Sequence, residues 1–181
     1  DGDWRTWLFL GGRGAGKTRA GAEWLQLKVA HGARRVALIG PTFNDVREVM
    51  LGGPSGLLNI EPLNGRPTYE ASRKRIVWPC GAGGYAFSAE DPDGLRGPQF
   101  HAAWADEFAA WARPQETLDM VRFGLRLGEE PQLAVTTTPR PIAALKSLIT
   151  APGVTVTRAA SEANAANLAP GFIEAMRAQY G

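Results

Sequence analysis

Trp7-Leu8-Phe9-Leu10-Gly11-Gly12-Arg13-Gly14-Ala15-Gly16-Lys17-Thr18 decides the fold of this chain. Four apolar residues run straight into a glycine-rich turn, the pattern of a buried strand that stops where the backbone must curve. Residues 18–30 then read as a helix. Gly11, Gly16, Lys17 and Thr18 satisfy G-x-x-x-x-G-K-[ST], between a strand and a helix as that pattern requires. Glycines let successive N–H groups turn inward around phosphate oxygens, and the start of the helix aims its free N–H groups and positive dipole end at the same oxygens. Lys17 is placed to reach the β- and γ-phosphates of a nucleotide as a point charge, and Thr18 to offer its hydroxyl to Mg²⁺. A flexible loop carrying these four positions by accident is expected in only about one chain in a hundred of this length. The whole segment Gly11, Gly12, Arg13, Gly14, Ala15, Gly16, Lys17 and Thr18 is therefore read as a phosphate-binding loop.

Outward from the loop, short apolar runs alternate with helical stretches. Residues 36–39 form a second buried strand ended by Gly40-Pro41, and residues 43–51 a helix that Thr42 or Asn44 can cap. Residues 52–84 are irregular, but residues 75–78 and 85–87 look like strands paired across a turn. Strands are expected at residues 100–105, 133–136 and 154–157, and helices at residues 114–127, 141–149 and 170–180. This alternation predicts an α/β fold, a mostly parallel central sheet with helices on both faces.

The strand at residues 100–105 ends in Asp106-Glu107, at the carboxyl edge of the sheet where ligands of such folds bind. Nucleotide hydrolysis needs one carboxylate near the metal and one group to polarise water, and the pair supplies Asp106 for the first and Glu107 for the second. An acidic pair also suits the start of a helix, and the phosphate loop upstream tips the reading toward chemistry. Thr136-Thr137-Thr138 places hydroxyls at the end of another core strand, within reach of a γ-phosphate or its attacking water; a plain strand ending before Pro139 reads equally well. Two arginines stand out by position as partners for transition-state charge: Arg13 inside the loop, and Arg96 in the glycine-flanked turn Asp93-Gly94-Leu95-Arg96-Gly97. Arg66 with Arg73-Lys74-Arg75, and Arg122 with Arg126, could touch a phosphate backbone, although such runs are usually solvated faces.

Composition bounds the rest. At 181 residues the chain suits one domain, and an apolar share of 44% without a long apolar run points away from a membrane protein. No signal peptide opens it, and the lone Cys80 fits a reducing cytoplasm, where it reads as a small packing residue. A net charge of +2 is compatible with a polyanionic partner without announcing one. His31 and His101 lack the spacing of metal ligands, and the six tryptophans read as core and rim packing rather than base-stacking platforms. No Asn-Lys-x-Asp guanine reader occurs, and a water-activating Glu107 beside Asp106 argues against a small-molecule kinase. A helicase-like translocase or a non-hydrolysing nucleotide-binding scaffold stays open.

Taken together, the loop, the acidic pair and the threonine end resemble the ATPase domain of large terminase subunits, the DNA-packaging motors of tailed phages and gene transfer agents. Leu8 to Thr18 is similar to their Walker A segment. Ser88-Ala89-Glu90-Asp91-Pro92-Asp93-Gly94-Leu95-Arg96-Gly97-Pro98-Gln99-Phe100 is similar to the stretch before their Walker B strand, and Thr136-Thr137-Thr138-Pro139 to their coupling motif. The resemblance implies a P-loop NTPase of the ASCE type, with an extra strand between the Walker A and Walker B strands. It implies ATP and Mg²⁺ as cofactors, Arg96 as a trans-acting arginine finger, Arg13 in a cis role, and Thr136, Thr137 and Thr138 as coupling residues. The implied partners are double-stranded DNA, further copies in a ring on a portal, and a small terminase subunit, in the bacterial host cytoplasm. The family's nuclease domain would lie beyond residue 181, so residues 1–181 are read as the ATPase domain alone.

Overall fold

A computed structural model describes residues 4–160 of the chain. Eight strands form one sheet: β1 (Thr6–Gly11), β2 (Arg35–Gly40), β3 (Thr68–Glu70), β4 (Arg75–Val77), β5 (Gly83–Ser88), β6 (Ala102–Asp106), β7 (Gln132–Thr137) and β8 (Val154–Ala159), in the order β3-β4-β5-β2-β6-β7-β1-β8. From β5 to β8 every neighbouring pair is parallel; β4 and β3 add an antiparallel edge. The expected α/β frame is therefore present, and β7 is the extra strand between β1 and β6. The helices are α1 (Lys17–Ala30), α2 (Phe43–Asp45), α3 (Pro114–Gly124) and α4 (Ala143–Thr150).

Side chains alternate across the sheet and feed two cores, as the period of a strand dictates. Leu8, Leu10, Ile39, Ala103, Ala105 and Val135 pack on one face with Leu118, Val121, Leu145 and Leu148 of α3 and α4. Val36, Leu38, Ala102, Trp104 and Ala134 pack on the other with Ala22, Leu25 and Val29 of α1. The central strand β6, Ala-Ala-Trp-Ala-Asp, is buried along its whole length. Its alanines let helices approach both faces, and its one bulky apolar residue, Trp104, meets a matching gap in α1. A Cβ built on Gly21 would lie 2.2 Å from both Cε2 and Nε1 of the Trp104 ring. Gly21→Ala is therefore expected to destabilise the protein by about 1–3 kcal/mol through overpacking, despite the better helix propensity of alanine. Urea unfolding of the variant against wild type measures it.

The expected helix over residues 43–51 keeps its span but changes winding, α at Phe43–Asp45 and π at Val46–Leu51. Thr42 rather than Asn44 is its cap: its hydroxyl accepts from the Asp45 N–H at 3.1 Å, and the Asp45 carboxylate accepts from the Thr42 N–H at 3.1 Å. The β4–β5 pairing holds, with Arg75 opposite Tyr85; β3, read as irregular chain, completes the edge. Two expectations need correction. The helix from Pro114 stops at Gly124 instead of residue 127, because the Gly124 carbonyl accepts from the Phe100 N–H at 2.7 Å and Leu125 bridges Phe100 as extended chain. Cys80 is exposed rather than packed; it occupies a tight turn that needs left-handed Gly81, φ 89°. The helix expected at residues 170–180 lies outside the described residues. No helix among the described residues is long and apolar enough to cross a membrane.

Candidate active site

β1 delivers the chain at Gly11 to the carboxyl edge of the sheet, and residues 12–16 turn back into α1. Gly14 (φ 74°) and Gly16 (φ 82°) take left-handed backbone that a side chain would strain. Gly16 caps α1, so no side chain at the N-cap competes for the first-turn N–H groups of the helix. Residues 14–18 of this turn line a cleft of about 960 Å³, of a size that accepts a nucleotide. Thr18 faces that cleft, and Arg13 is exposed at the loop. Phe9, Arg19, Ala20, Glu23 and Ser55 complete its wall, residues that the sequence motif does not announce.

Lys17 is almost entirely buried, with its ammonium donating to the Gly12 carbonyl at 3.0 Å and pairing with Glu107 Oε1 at 3.5 Å. The same group thus joins the loop to the end of β6. Strand alternation would put Glu107 on the sheet face opposite Asp106. Glu107 instead adopts φ 49°, one of two positive-φ non-glycine residues among those described, and this turn brings its carboxylate to Lys17. Backbone in that region costs a non-glycine residue about 1 kcal/mol, a strain that persists where the surroundings impose it. Glu107 stands at the N-cap position of the turn Phe108–Ala110, but its side chain makes no capping hydrogen bond there.

The three threonines, identical in sequence, do three different things. Thr136 stands opposite Asp106 across the β6–β7 pair, and its hydroxyl donates to Asp106 Oδ1 at 2.6 Å. Thr137 points the other way, accepts from the Ala109 N–H at 3.0 Å and so pins the turn after Glu107. Thr138 meets Glu107 itself through two long contacts, its N–H to Oε2 at 3.4 Å and its hydroxyl to Oε1 at 3.5 Å. Thr136 and Thr137 are fully buried, which leaves Thr138 as the member of the three with open surface.

Asp106 is 3% exposed, and burial pushes its carboxyl up to about 7, aided by the nearby Glu107 charge and opposed by the Thr136 hydroxyl and by Lys17. Thr18 and Asp106 are hard oxygen donors of the kind Mg²⁺ takes, and no group of three His, Cys, Asp or Glu among the described residues could hold a metal. That donor set fits a cation held by few protein oxygens together with phosphates and water. With a folded value above the unfolded 3.8, Asp106 binds more protons when folded, so nucleotide-free stability falls as pH rises from about 4 toward 7. Asp106→Asn should match wild type near pH 4 and exceed it at pH 8, by an amount on the order of a few kcal/mol. Denaturant unfolding at the two pH values in Mg²⁺-free buffer measures the gap; an equal gap at both would refute it.

Arg96 lies away from these contacts. It is 72% exposed, pairs with Asp93 at 3.2 Å, and borders a separate 290 Å³ hollow beside Phe123 and Arg126. The structure thus brings the loop, Asp106, Glu107 and Thr138 together in one copy, and leaves Arg96 on another surface.

The family model described as terminase large subunit, T4likevirus-type, N-terminal, matches residues 8–181. The large terminase of a thermophilic bacteriophage, in complex with ADP, has this fold at TM-score 0.76 and 16% identity, over 99% of this chain and 46% of that one. The same phage protein in complex with ATP-gamma-S gives TM-score 0.68 and 15% identity, over 99% and 45%. The ATPase domain of the Thermus phage P74-26 large terminase gives 0.66 and 17%, over 96% and 83%. At these identities the likeness is one of fold, the P-loop NTPase type, and the chain spans less than half the length of the two nucleotide-bound terminase chains. No curated protein matches the chain. The match of the family model over nearly the whole sequence, on a fold shared with large terminase ATPase domains, places the chain in the T4likevirus-type terminase large subunit family, N-terminal part.

Proposed function

We propose that residues 1–181 form the ATPase domain of a DNA-packaging motor, which hydrolyses ATP and couples it to movement of double-stranded DNA into a capsid. The observation that carries this reading is the junction at Lys17, where the loop, through Gly12, meets Glu107 at the end of β6. In the proposed reaction Gly11 to Thr18 cradle the phosphates, Thr18 and Asp106 hold Mg²⁺, and Glu107 accepts the proton of the attacking water. The cation would neutralise charge on the β- and γ-phosphates. Thr136, Thr137 and Thr138 couple turnover to the rest of the motor: they grip Asp106, the turn after Glu107, and Glu107 itself, so any change at the carboxylates is felt by β7.

The same reading assigns Arg96 to the nucleotide site of a neighbouring copy in a ring assembled on a portal, and Arg13 to its own. The small terminase subunit is the further protein partner, the cytoplasm of the bacterial host the place of action, and a nuclease the family's second domain. ATP turnover of the intact protein, measured with and without double-stranded DNA, tests the proposal. DNA should raise turnover severalfold; Mg²⁺-dependent nucleotide binding with no turnover in either condition would favour a scaffold, and equal turnover in both would point to another P-loop enzyme.

A further inference from the structure

Beneath the phosphate loop, Trp104, Thr136 and Asp106 form one hydrogen-bonded line. Trp104 and Asp106 stand two residues apart on β6 and share a face, while Thr136 is the cross-strand partner of Asp106 on β7. The indole Nε1 donates to Thr136 Oγ1 at 2.9 Å, and that hydroxyl donates to Asp106 Oδ1 at 2.6 Å. All three side chains are buried.

The direction of this line is not arbitrary. A threonine hydroxyl has one proton and two lone pairs, and Thr136 Oγ1 has a second acceptor in reach, the Ala105 carbonyl at 3.4 Å. An indole N–H can only donate. Once it occupies a lone pair of Oγ1, the remaining hydroxyl geometry favours the shorter, charge-assisted bond to the carboxylate. A carboxylate otherwise turns freely between two equivalent settings about its last torsion. Here one oxygen is held by Thr136, and the backbone carbonyl of Asp106 accepts from Trp111 Nε1 at 3.0 Å.

The ring itself is fixed from both sides. Ala134 lies opposite Trp104 in the β6–β7 register, and Gly21 of α1 leaves no room for even a methyl group against the indole. The helix that starts at the phosphate loop therefore rests on the ring that orients the hydroxyl that orients the carboxylate.

We propose that Trp104 is a positioning residue for Asp106: its indole N–H, acting through the Thr136 hydroxyl, sets the carboxylate rotamer and keeps Oδ2 available for the divalent cation of a bound nucleotide. The proposal rests on the assignment of Mg²⁺ to Asp106 made above. Any buried indole N–H needs an acceptor; what points to positioning here is that the acceptor chosen is the hydroxyl that itself binds Asp106.

The test is the affinity of the whole chain for a fluorescent, non-hydrolysable ATP analogue, with and without Mg²⁺. Trp104→Phe deletes the N–H and keeps an aromatic ring. It should shrink the Mg²⁺-dependent gain in affinity by about fivefold to tenfold, as expected for a lost hydrogen bond to a charged network, and change Mg²⁺-free affinity by less than about twofold. Thr136→Val should lose as much, and the double variant no more than Thr136→Val alone. Losses that add in the double variant, or a folded Trp104→Phe with the full Mg²⁺ gain, would overturn the proposal. Should Trp104→Phe not fold, the indole N–H resonance of Trp104 in wild type decides it. Binding of the Mg²⁺–analogue complex should shift that resonance, and the shift should vanish in Thr136→Val; an unmoved resonance overturns the proposal. A wild type that binds the analogue equally well without Mg²⁺ would instead refute the cation assignment, and the positioning role with it.

Discussion

Glu107→Gln lowers ATP turnover at saturating nucleotide by about 10²- to 10⁴-fold, the range that a positioned general base supplies, while nucleotide affinity stays within about threefold of wild type. Glutamine has the shape of glutamate and the same tolerance for the left-handed backbone at this position, φ 49°. It can still accept from the Thr138 N–H, which lies 3.4 Å from Oε2. What it loses is the negative charge, and with it both the proton acceptor and the ion pair to Lys17 at 3.5 Å. Loss of that pair frees the ammonium for phosphate, so binding has no reason to weaken. Phosphate release at saturating ATP gives the first quantity, and a fluorescent nucleotide titration the second. Turnover within tenfold of wild type would mean that the water is activated by another group. A parallel collapse of affinity would mean that Glu107 holds the loop together rather than performing chemistry.

Much of this arrangement was legible in the residues themselves. Short apolar runs that end in glycine or in Asp-Glu mark buried parallel strands, because a strand covered on both faces has no polar side to show. Gly11 to Thr18 and Asp106-Glu107 then fall at the same edge of the sheet by topology alone. The details that turn proximity into a site were not legible. Period-2 alternation places Asp106 and Glu107 on opposite faces, and only the left-handed turn at Glu107 gathers both near Lys17; nothing in Ala105-Asp106-Glu107-Phe108 announces it. Thr136, Thr137 and Thr138 are one repeated letter, and their separate partners depend on register with β6 and on the turn at Ala109. Trp104 carried a usable signal, since a residue two before a core aspartate shares its face. The signal was outweighed by the general rule that a buried tryptophan is packing. The short helix after Pro114 went astray because its end depends on distant backbone, the Phe100 N–H, and Cys80 because the usual burial of a lone cysteine was weighed above the turn made by its neighbour Gly81.

Arg96→Ala is the second change with a large expected effect, about 10³-fold in turnover with nucleotide affinity unchanged, as for an arginine that meets charge only in the transition state. Its position argues for action on a neighbour. The guanidinium is 72% exposed and its partner Asp93 is 82% exposed, so the pair between them is a weak, water-screened one that a stronger anion can displace. It borders a hollow shared with Phe123 and Arg126, not the cleft at residues 14–18. In a head-to-tail ring each copy would present this surface to the next. Subunits with Arg96→Ala keep Glu107, and subunits with Glu107→Gln keep Arg96, so neither population is active alone. Mixed in equal amounts, about a quarter of the contacts in a ring place an Arg96-bearing neighbour against a Glu107-bearing site, and turnover should recover toward that share if sites fire independently. An arginine acting within its own copy gives a different result: every subunit in the mixture then lacks one of the two groups, and no proportion of the variants restores turnover. Recovery that follows the product of the two fractions as the mixing ratio is varied, with its maximum at equal amounts, would establish that the site is completed by a second copy of this chain.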